Sequence, residues 1–332
     1  MYKKIIVLII TCLCCPFLFA RQMGVVEFSV NFIREKPKYT AELGNQALMG
    51  TVVEILDKKE YWLKIKTMEP YIGWVNEMGI ISMDENELKD YIMQDKYICT
   101  SMYSTVYSSP SSASIPISDL VSGDILRVWK KNGKSVVLGG FYGVILPSGR
   151  EGYVKQKDLH RFKSWAESLS PTMQNIVTTA MRYVGIPYMW GGTSVKGFDC
   201  SGFIKQVWFM NGILLPRDSG PQSLCGDAVD AFTEDGKFNI NRLKPADLLF
   251  FGIPASANNP EKVTHVGMYI GGGKFIHSSQ IVRINSLSAL SPDYYNRVPI
   301  KVRRYIGASN KSEIRNILDN PFYFPQEKQV KQ

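Results

Sequence analysis

Cys200 combines a reactive side chain with a favourable position in the sequence. It follows Asp199, a residue type that caps helix N-termini, and precedes the apolar, helix-compatible run 203–210. In the first turn of a helix, unpaired backbone N–H groups and the positive end of the helix dipole stabilise a thiolate. The pattern therefore predicts a nucleophilic cysteine with a lowered pKa. The alternative is a small apolar side chain buried in the core.

Two of the three histidines lie in one predicted hairpin, on either side of the glycines 271–273. With a three-residue loop, Gly267 lies opposite His277, and His265 lies two positions further along the same face. This register predicts a hydrogen bond between the two imidazole rings. A two-residue loop would turn His277 to the opposite face of the hairpin.

These three side chains together predict a Cys-His-His triad. His265 is expected to take the proton of Cys200 and to return it to a leaving amine, while His277 holds the tautomer and orientation of His265. The backbone N–H of Cys200 is a candidate oxyanion donor. Tyr188 lies shortly before the cysteine and either adds a hydroxyl to the site or serves as a core aromatic residue.

Zinc binding is a competing use of one cysteine and two histidines. A structural zinc site needs a fourth ligand, and neither Cys99 nor Cys225 provides a C-x₂-C spacing with Cys200. We therefore predict no metal and no cofactor. Whether Cys99 and Cys225 form a disulfide or remain free is not decided by the sequence.

Residues 1–20 have the pattern of an export signal, with Lys3 and Lys4 before an apolar run and a small residue at position 20. Removing them lowers the formal net charge from +9 to +7. No block of consecutive Lys or Arg indicates nucleic-acid binding, and no later segment is long enough to span a membrane. We expect an exported monomer in the periplasm or cell envelope, with the excess positive charge directed at an anionic substrate or surface.

The 332 residues divide into segments of different character. Segments 21–83 and 98–162 alternate short strand-like runs with turns, which predicts two small antiparallel barrels joined by a linker at 84–97. The barrels share landmarks, so a duplication with one loop insertion is predicted. Pro37 and Gly50 recur 73 positions later as Pro110 and Gly123. The glycine–aromatic–valine motif 73–75 recurs 79 positions later, at 152–154, so the second barrel has about six extra residues between these landmarks.

The segment 164–310 begins with helical patterns and continues with strands, which predicts an α+β domain. Ser170 and Pro171 are expected to begin a helix that runs to Val184. The final segment, 311–332, is predicted to be a polar, loosely attached tail.

The order of motifs in this third segment resembles that of the NlpC cell-wall cysteine peptidase family. The resemblance implies a papain-like fold and cleavage of the bond between γ-D-glutamate and a diamino acid in peptidoglycan stem peptides. Together with the barrels it gives the predicted architecture: an α+β, papain-like NlpC cysteine peptidase domain preceded by two small all-β SH3-like barrels. The motifs are 188–192, 198–203, 215–219, 246–251 and 264–269.

The paired SH3-like barrels resemble a branch of this family, the γ-D-glutamyl-L-diamino acid endopeptidases, which release L-Ala-γ-D-Glu from stem peptides with a free L-Ala amine. The resemblance implies that an Asp-Ser pair and acidic and tyrosine residues of the first barrel bind this amine. At the position equivalent to Glu42, the second barrel has Ile115. The predicted substrate-binding residues are Glu42, Tyr71, Tyr188, Asp199, Ser201, Asp218 and Ser219.

Two other functions use the same features. A non-catalytic protein could bind peptidoglycan through the SH3-like pair, and an acyl- or amidotransferase could use the same triad to transfer an acyl group to an amine. The expected partner of the peptidase is the peptidoglycan stem peptide. Labelling of Cys200 by a thiol-reactive probe separates the first alternative from an enzyme, and faster transfer to an added amine than to water identifies the second.

Overall fold

The computed structural model describes residues 22–308, 311 and 313–325. The predicted export signal lies outside the described residues, as does part of the predicted tail. Within the described ranges, every helix is too short or too polar to span a bilayer.

The first sheet is antiparallel and has seven strands, as the alternating apolar pattern predicts. Val53, Ile55 and Ile65 point from neighbouring strands into its small apolar core. Its strands are β1 (Gln22–Val26), β2 (Val30–Arg34), β3 (Leu43–Leu48), β4 (Val52–Lys59), β5 (Trp62–Thr67), β6 (Ile72–Asn76) and β7 (Ile80–Met83), with a 3₁₀ turn at Glu77–Gly79. The order across the sheet is β3-β2-β6-β5-β4-β1-β7.

Helix α1 (Glu85–Met93) occupies the predicted linker. Asp84 and Glu87 form a capping box, in which each side chain accepts a hydrogen bond from the backbone of the other. The helix buries Leu88 and Tyr91 against the first sheet. The linker is therefore packed structure and not an extended tether.

The second sheet repeats this architecture with eight strands. The strands of this segment are β8 (Lys96–Cys99), β9 (Tyr103–Tyr107), β10 (Pro116–Val121), β11 (Ile125–Val128), β12 (Lys130–Lys131), β13 (Lys134–Ser135), β14 (Val137–Leu138), β15 (Phe141–Ile145), β16 (Glu151–Lys155) and β17 (Leu159–Arg161), with a 3₁₀ turn at Gln156–Asp158. Strands β12 and β13 form a separate two-stranded hairpin outside the eight-stranded sheet. This additional hairpin and β14 lie between Gly123 and Gly152, where the sequence comparison places the insertion.

The C-terminal segment forms an α+β unit, as predicted. Its elements are α2 (Phe162–Ser168), α3 (Met173–Met181), β18 (Thr193–Ser194), β19 (Gly197–Phe198), α4 (Cys200–Phe209), β20 (Ile213–Leu214), α5 (Ser219–Gln222), β21 (Asp227–Ala228), β22 (Leu248–Ile253), β23 (Lys262–Gly271), β24 (Lys274–Ser279), β25 (Ile281–Ser286), β26 (Lys301–Arg304) and β27 (Arg315–Asn316), with 3₁₀ turns at Ile240–Arg242 and Ile317–Asp319. Six antiparallel strands lie in the order β21-β26-β22-β23-β24-β25, and α4 packs its apolar side chains against one face of this sheet.

Helix α3 begins later than the sequence predicts. Its N-cap is Thr172, whose hydroxyl accepts a hydrogen bond from the backbone N–H of Asn175 at 3.2 Å. The backbone carbonyl of Ser170 instead accepts from the Asn175 side chain. The predicted cap at Ser170 was wrong because a second capping residue follows two positions later and forms the hydrogen bond.

The prediction of a loosely attached tail is also wrong for the described part of that segment. Strand β27 pairs with β20 of the α+β unit. Ile317 is fully buried, and the ring of Tyr323 packs against Phe162 with 5.6 Å between centroids. The tail looked polar in composition, but its apolar residues are spaced so that they enter the junction between the sheets and the α+β unit.

The first sheet is held against the segment that leads to Cys200. Gln46 of β3 accepts a hydrogen bond from the backbone N–H of Thr193 at 2.9 Å, and Lys196 donates to Ser29 at 2.8 Å. Residues far apart in the chain are therefore held together beside the helix that begins with Cys200.

Candidate active site

Cys200 is the first residue of α4, and Asp199 is its N-cap. Asp199 accepts a hydrogen bond from the backbone N–H of Gly202 at 2.7 Å. Cys200 is 8% exposed, and its sulfur accepts hydrogen bonds from the backbone N–H groups of Val266 and Ser201. The contact with Val266 places the sulfur beside the residue that follows His265 in β23.

The predicted lowering of the cysteine pKa is wrong. Burial raises the pKa of Cys200 to about 11, and the Asp199 carboxylate contributes to the rise. The two N–H donors and the positive charge of Arg217 act in the opposite direction but do not compensate. The sequence indicated the helix terminus but not the depth of burial, and desolvation of a thiolate outweighs the terminal dipole.

The structure brings His265 and His277 together, with His265 Nε2 at 2.7 Å from His277 Nδ1. The hairpin reaches this register by a route that differs from the prediction. Gly271 pairs with Lys274 across a two-residue turn, and a bulge at Ile270 then restores the pairing of Tyr269 with Phe275. The extra residue in the bulge compensates for the shorter loop, so both rings lie on one face.

Gly267 lies between the two histidine positions and has to be glycine. A Cβ atom at this position would lie 2.6 Å from the ring of Phe275 and 3.1 Å from Cβ of His277. The missing side chain leaves the space that the second imidazole occupies.

Asn285 extends the chain of polar contacts and was not identified from the sequence. Its Nδ2 donates to the carbonyl of Asp293 at 2.7 Å, and its Oδ1 lies 2.9 Å from His277 Nε2. Because Oδ1 can only accept, His277 Nε2 carries the proton and His277 Nδ1 accepts from His265 Nε2. His265 Nδ1 is then unprotonated and free to act as a base.

Both imidazoles are neutral at neutral pH. Burial lowers the pKa of His265 to about 3, with the charges of His277 and Arg297 acting in the same direction. Burial also lowers the pKa of His277 to about 4, although the hydrogen bond that His277 donates to Asn285 opposes this. The site therefore rests as a neutral thiol beside neutral imidazoles.

Asp199 and Ser201 flank the cysteine and share one partner, Arg217, which sequence reasoning did not select. Arg217 forms a buried ion pair with Asp199 and donates to Ser201 Oγ at 3.0 Å. Its Nε also donates to Asn45 of the first sheet at 2.9 Å. One guanidinium group thus connects the cap of α4 to the SH3-like sheet.

Tyr71 and Asp218 lie near this guanidinium and line one pocket with it. Glu35 lies beside them, because the Tyr71 hydroxyl donates to Glu35 Oε1 at 3.2 Å. Partial desolvation raises the pKa of Asp218, and the charges of Asp199 and Glu35 raise it further against the effect of Arg217. We name Glu35, Tyr71 and Asp218 the acidic cluster.

The structure does not bring the side chain of Glu42 into the acidic cluster. Glu42 is exposed, and its backbone carbonyl accepts from the N–H of Glu35 at 3.0 Å. This pairing beside β2 and β3 could have identified Glu35, had the register of that hairpin been predicted. Ser219 is half-buried and begins α5, directly after Asp218.

Tyr188 and Tyr295 both lie near the cysteine. Burial raises the pKa of Tyr188 to about 12, and the charges of Cys200 and Asp199 contribute, so its hydroxyl stays protonated at neutral pH. Tyr295 was not predicted; its ring centroid lies 5.0 Å from that of His277. Both hydroxyls are available as hydrogen-bond donors near the sulfur.

The potential metal ligands are committed to other contacts. Both nitrogens of His277 have partners, in His265 and Asn285, and no group of three His, Cys, Asp or Glu side chains in the described ranges is arranged to hold a metal ion. The three described cysteines, Cys99, Cys200 and Cys225, are free.

This α+β unit places a cysteine at a helix N-terminus and a histidine on the adjacent strand. That arrangement defines the papain-like class of thiol hydrolases. Residues 185–304 match the family model described as the NlpC/P60 family. Residues 33–80 match the model of the bacterial dipeptidyl-peptidase SH3 domain.

Similar proteins agree with these matches. The chain is 31% identical over 280 residues to the γ-D-glutamyl-L-lysine dipeptidyl-peptidase of Bacillus cereus, covering 80% of this chain and 76% of that protein. It is 28% identical over 275 residues to dipeptidyl-peptidase 6 of Lysinibacillus sphaericus, covering 81% and 93%. A crystal structure of an NlpC/P60 family protein from Bacillus cereus superimposes with a TM-score of 0.66 at 26% identity, covering 85% and 99%. The chain belongs to the NlpC/P60 family of cysteine peptidases.

Proposed function

We propose that this protein is an exported peptidase that hydrolyses the bond between γ-D-glutamate and the diamino acid in peptidoglycan stem peptides. The stem peptide carries a free N-terminal L-Ala, and the released product is L-Ala-γ-D-Glu. The observation that carries the proposal is the acidic cluster, which two separate parts of the chain build near Arg217, the guanidinium group that also holds Asp199 and Ser201 on either side of Cys200. The similar proteins from Bacillus cereus and Lysinibacillus sphaericus are named dipeptidyl-peptidases, which agrees with this proposal.

The thiol and the imidazoles perform acyl transfer in this proposal. His265 Nδ1 takes the proton of Cys200 as the sulfur attacks the γ-carbonyl carbon of glutamate. The backbone N–H of Cys200 and the Tyr188 hydroxyl donate to the oxyanion that forms. His265 then protonates the leaving amine, the C–N bond breaks, and a thioester remains. Water, deprotonated by His265, hydrolyses the thioester and restores the thiol.

The neutral resting state fits this sequence of steps. A thiol with a raised pKa has to lose its proton during the attack, so the base must be unprotonated and correctly oriented beforehand. The lowered pKa of His265 and the hydrogen-bond chain through His277 to Asn285 provide both conditions. His277 and Asn285 act as positioning residues.

The acidic cluster supplies the partner for the substrate ammonium group. An ammonium group that loses part of its hydration on binding requires an opposing negative charge. Glu35 and Asp218 provide carboxylates, and Tyr71 orients Glu35 through its hydroxyl. A peptide whose amine is acylated carries no charge at this point, so the protein selects peptides with a free N-terminus.

The test compares L-Ala-γ-D-Glu-diaminopimelate with the same peptide acetylated on L-Ala. We expect kcat/KM to fall at least about 100-fold on acetylation, since a site built for a polar group rejects the analogue without it. Equal cleavage of the two peptides overturns the selection of free amines. Cys200→Ala should abolish cleavage, whereas Cys225→Ala, a matched change of another buried free cysteine, should retain it.

A further inference from the structure

Two arginines lie beside the histidine pair and have no part in the mechanism above. Arg283 in β25 is the cross-strand partner of His277 in β24, so both side chains project from the same face of the sheet. Arg283 is half-buried; its Nη1 donates to Gln280 at 3.2 Å, and its buried Nε has no hydrogen-bond partner. A buried donor without a partner is costly unless a ligand completes it.

Arg297 approaches the same place from the loop before β26. Its side chain is exposed and forms a hydrogen bond with the Tyr295 hydroxyl. The Tyr295 ring lies 5.0 Å from the His277 ring and 6.1 Å from the His265 ring, measured between centroids. The positive charges of Arg297 and Arg283 both oppose the rise that burial causes in the pKa of Tyr295, as expected when two guanidinium groups lie near one hydroxyl.

Among residues 22–308, 311 and 313–325, no carboxylate forms an ion pair with Arg283 or Arg297. Arg217, by contrast, is paired with Asp199. Two unpaired guanidinium groups next to the reacting atoms are suited to an anionic group of the substrate.

The position of the two arginines relative to the histidines identifies the part of the substrate that they would contact. His265 protonates the leaving nitrogen, so the residue that carries this nitrogen extends from His265 towards Tyr295. The acidic cluster lies beside Arg217, on the helix side of Cys200, and holds the other end of the peptide. We propose that Arg283 and Arg297 form a carboxylate-binding subsite for the leaving diamino acid. This inference rests on the proposed function.

Two carboxylates of the leaving residue have the required chemistry. One is the α-carboxylate of a third residue at the C-terminus of the stem peptide. The other is the side-chain carboxylate of diaminopimelate, which L-Lys lacks. A guanidinium group binds either one through parallel hydrogen bonds.

Three peptides distinguish these sources: L-Ala-γ-D-Glu followed by diaminopimelate, by L-Lys, or by L-Lys amide. One charge-assisted hydrogen bond corresponds to about a 10- to 100-fold change in kcat/KM. A loss of that size in kcat/KM when L-Lys replaces diaminopimelate assigns the subsite to the side-chain carboxylate. A loss from L-Lys to its amide assigns it to the α-carboxylate. Equal values for all three overturn the subsite and leave the proposed function intact; cleavage of none overturns both.

Arg297→Gln tests the assignment because the side chain is exposed and its loss does not disturb the core. In this variant the ratio of kcat/KM between the peptide that has the bound carboxylate and the peptide that lacks it should fall at least about tenfold. Arg283→Lys, which keeps a positive charge but not the planar donor geometry, should reduce it partly. Arg242→Gln removes a charge from an exposed ion pair with Asp230 and serves as the matched control with unchanged discrimination. Unchanged discrimination in Arg297→Gln and Arg283→Lys overturns the proposal.

Discussion

Replacing Arg217 tests how the buried ion pair supports the site. The side chains of Arg217 and Asp199 are 4% and 10% exposed, and the guanidinium also donates to Ser201 and Asn45. Arg217→Met preserves much of the side-chain volume but leaves the Asp199 carboxylate buried without its counter-charge. We expect the free energy of unfolding to decrease by about 3–5 kcal/mol.

A second substitution separates charge from packing. Asp199→Asn keeps a residue type that caps helix N-termini and removes the negative charge. The double variant Arg217→Met/Asp199→Asn therefore contains no uncompensated charge, and we expect it to recover about 2 kcal/mol of the loss. Arg242→Met breaks the exposed pair with Asp230 and should change stability by less than about 1 kcal/mol.

Urea denaturation followed by circular dichroism measures these free energies, and kcat/KM on the free-amine tripeptide reports on the site. Activity should fall in Arg217→Met, because Asp199 caps the helix that carries Cys200 and Arg217 holds the first sheet through Asn45. A loss of stability no larger than that of Arg242→Met, or no recovery in the double variant, would refute the reasoning that a desolvated charge pair organises this site.

Three further predictions concern other parts of the molecule. Asn285→Leu removes the acceptor that fixes the tautomer of His277, and kcat should fall about 10- to 100-fold with little change in KM, measured by steady-state kinetics. Because the pKa of Asp218 is raised, its carboxylate is protonated, and amine binding lost, at a higher pH than for an ordinary aspartate. The acid limb of the kcat/KM profile should therefore lie above the pH at which an ordinary aspartate titrates. Asp218→Asn should remove this limb and lower activity at every pH. Tyr323→Ala should lower the free energy of unfolding, measured with urea, by about 3 kcal/mol, because it removes a buried aromatic ring from the junction. An effect as small as that of an exposed substitution would show that the tail contributes nothing to the stability of the fold.

The sequence determined the features that depend on near neighbours in the chain. Asp199 caps the helix of Cys200 because capping involves residues only three positions apart. His265 and His277 share a face because side chains alternate along a strand, and the bulge at Ile270 preserved that outcome although the turn has two residues. The motif order was sufficient to predict the α+β papain-like fold and the two SH3-like barrels.

The tertiary structure decided the features that depend on packing between distant segments. It selected Glu35 beside Tyr71, placed Asn285 behind His277, and raised the pKa of Cys200. Arg217 meets Asn45 across 172 positions of sequence, a contact that no local pattern encodes. Local hydrogen bonding and side-chain alternation are set within a few residues, whereas burial and electrostatic environment are set by every segment that packs around a group.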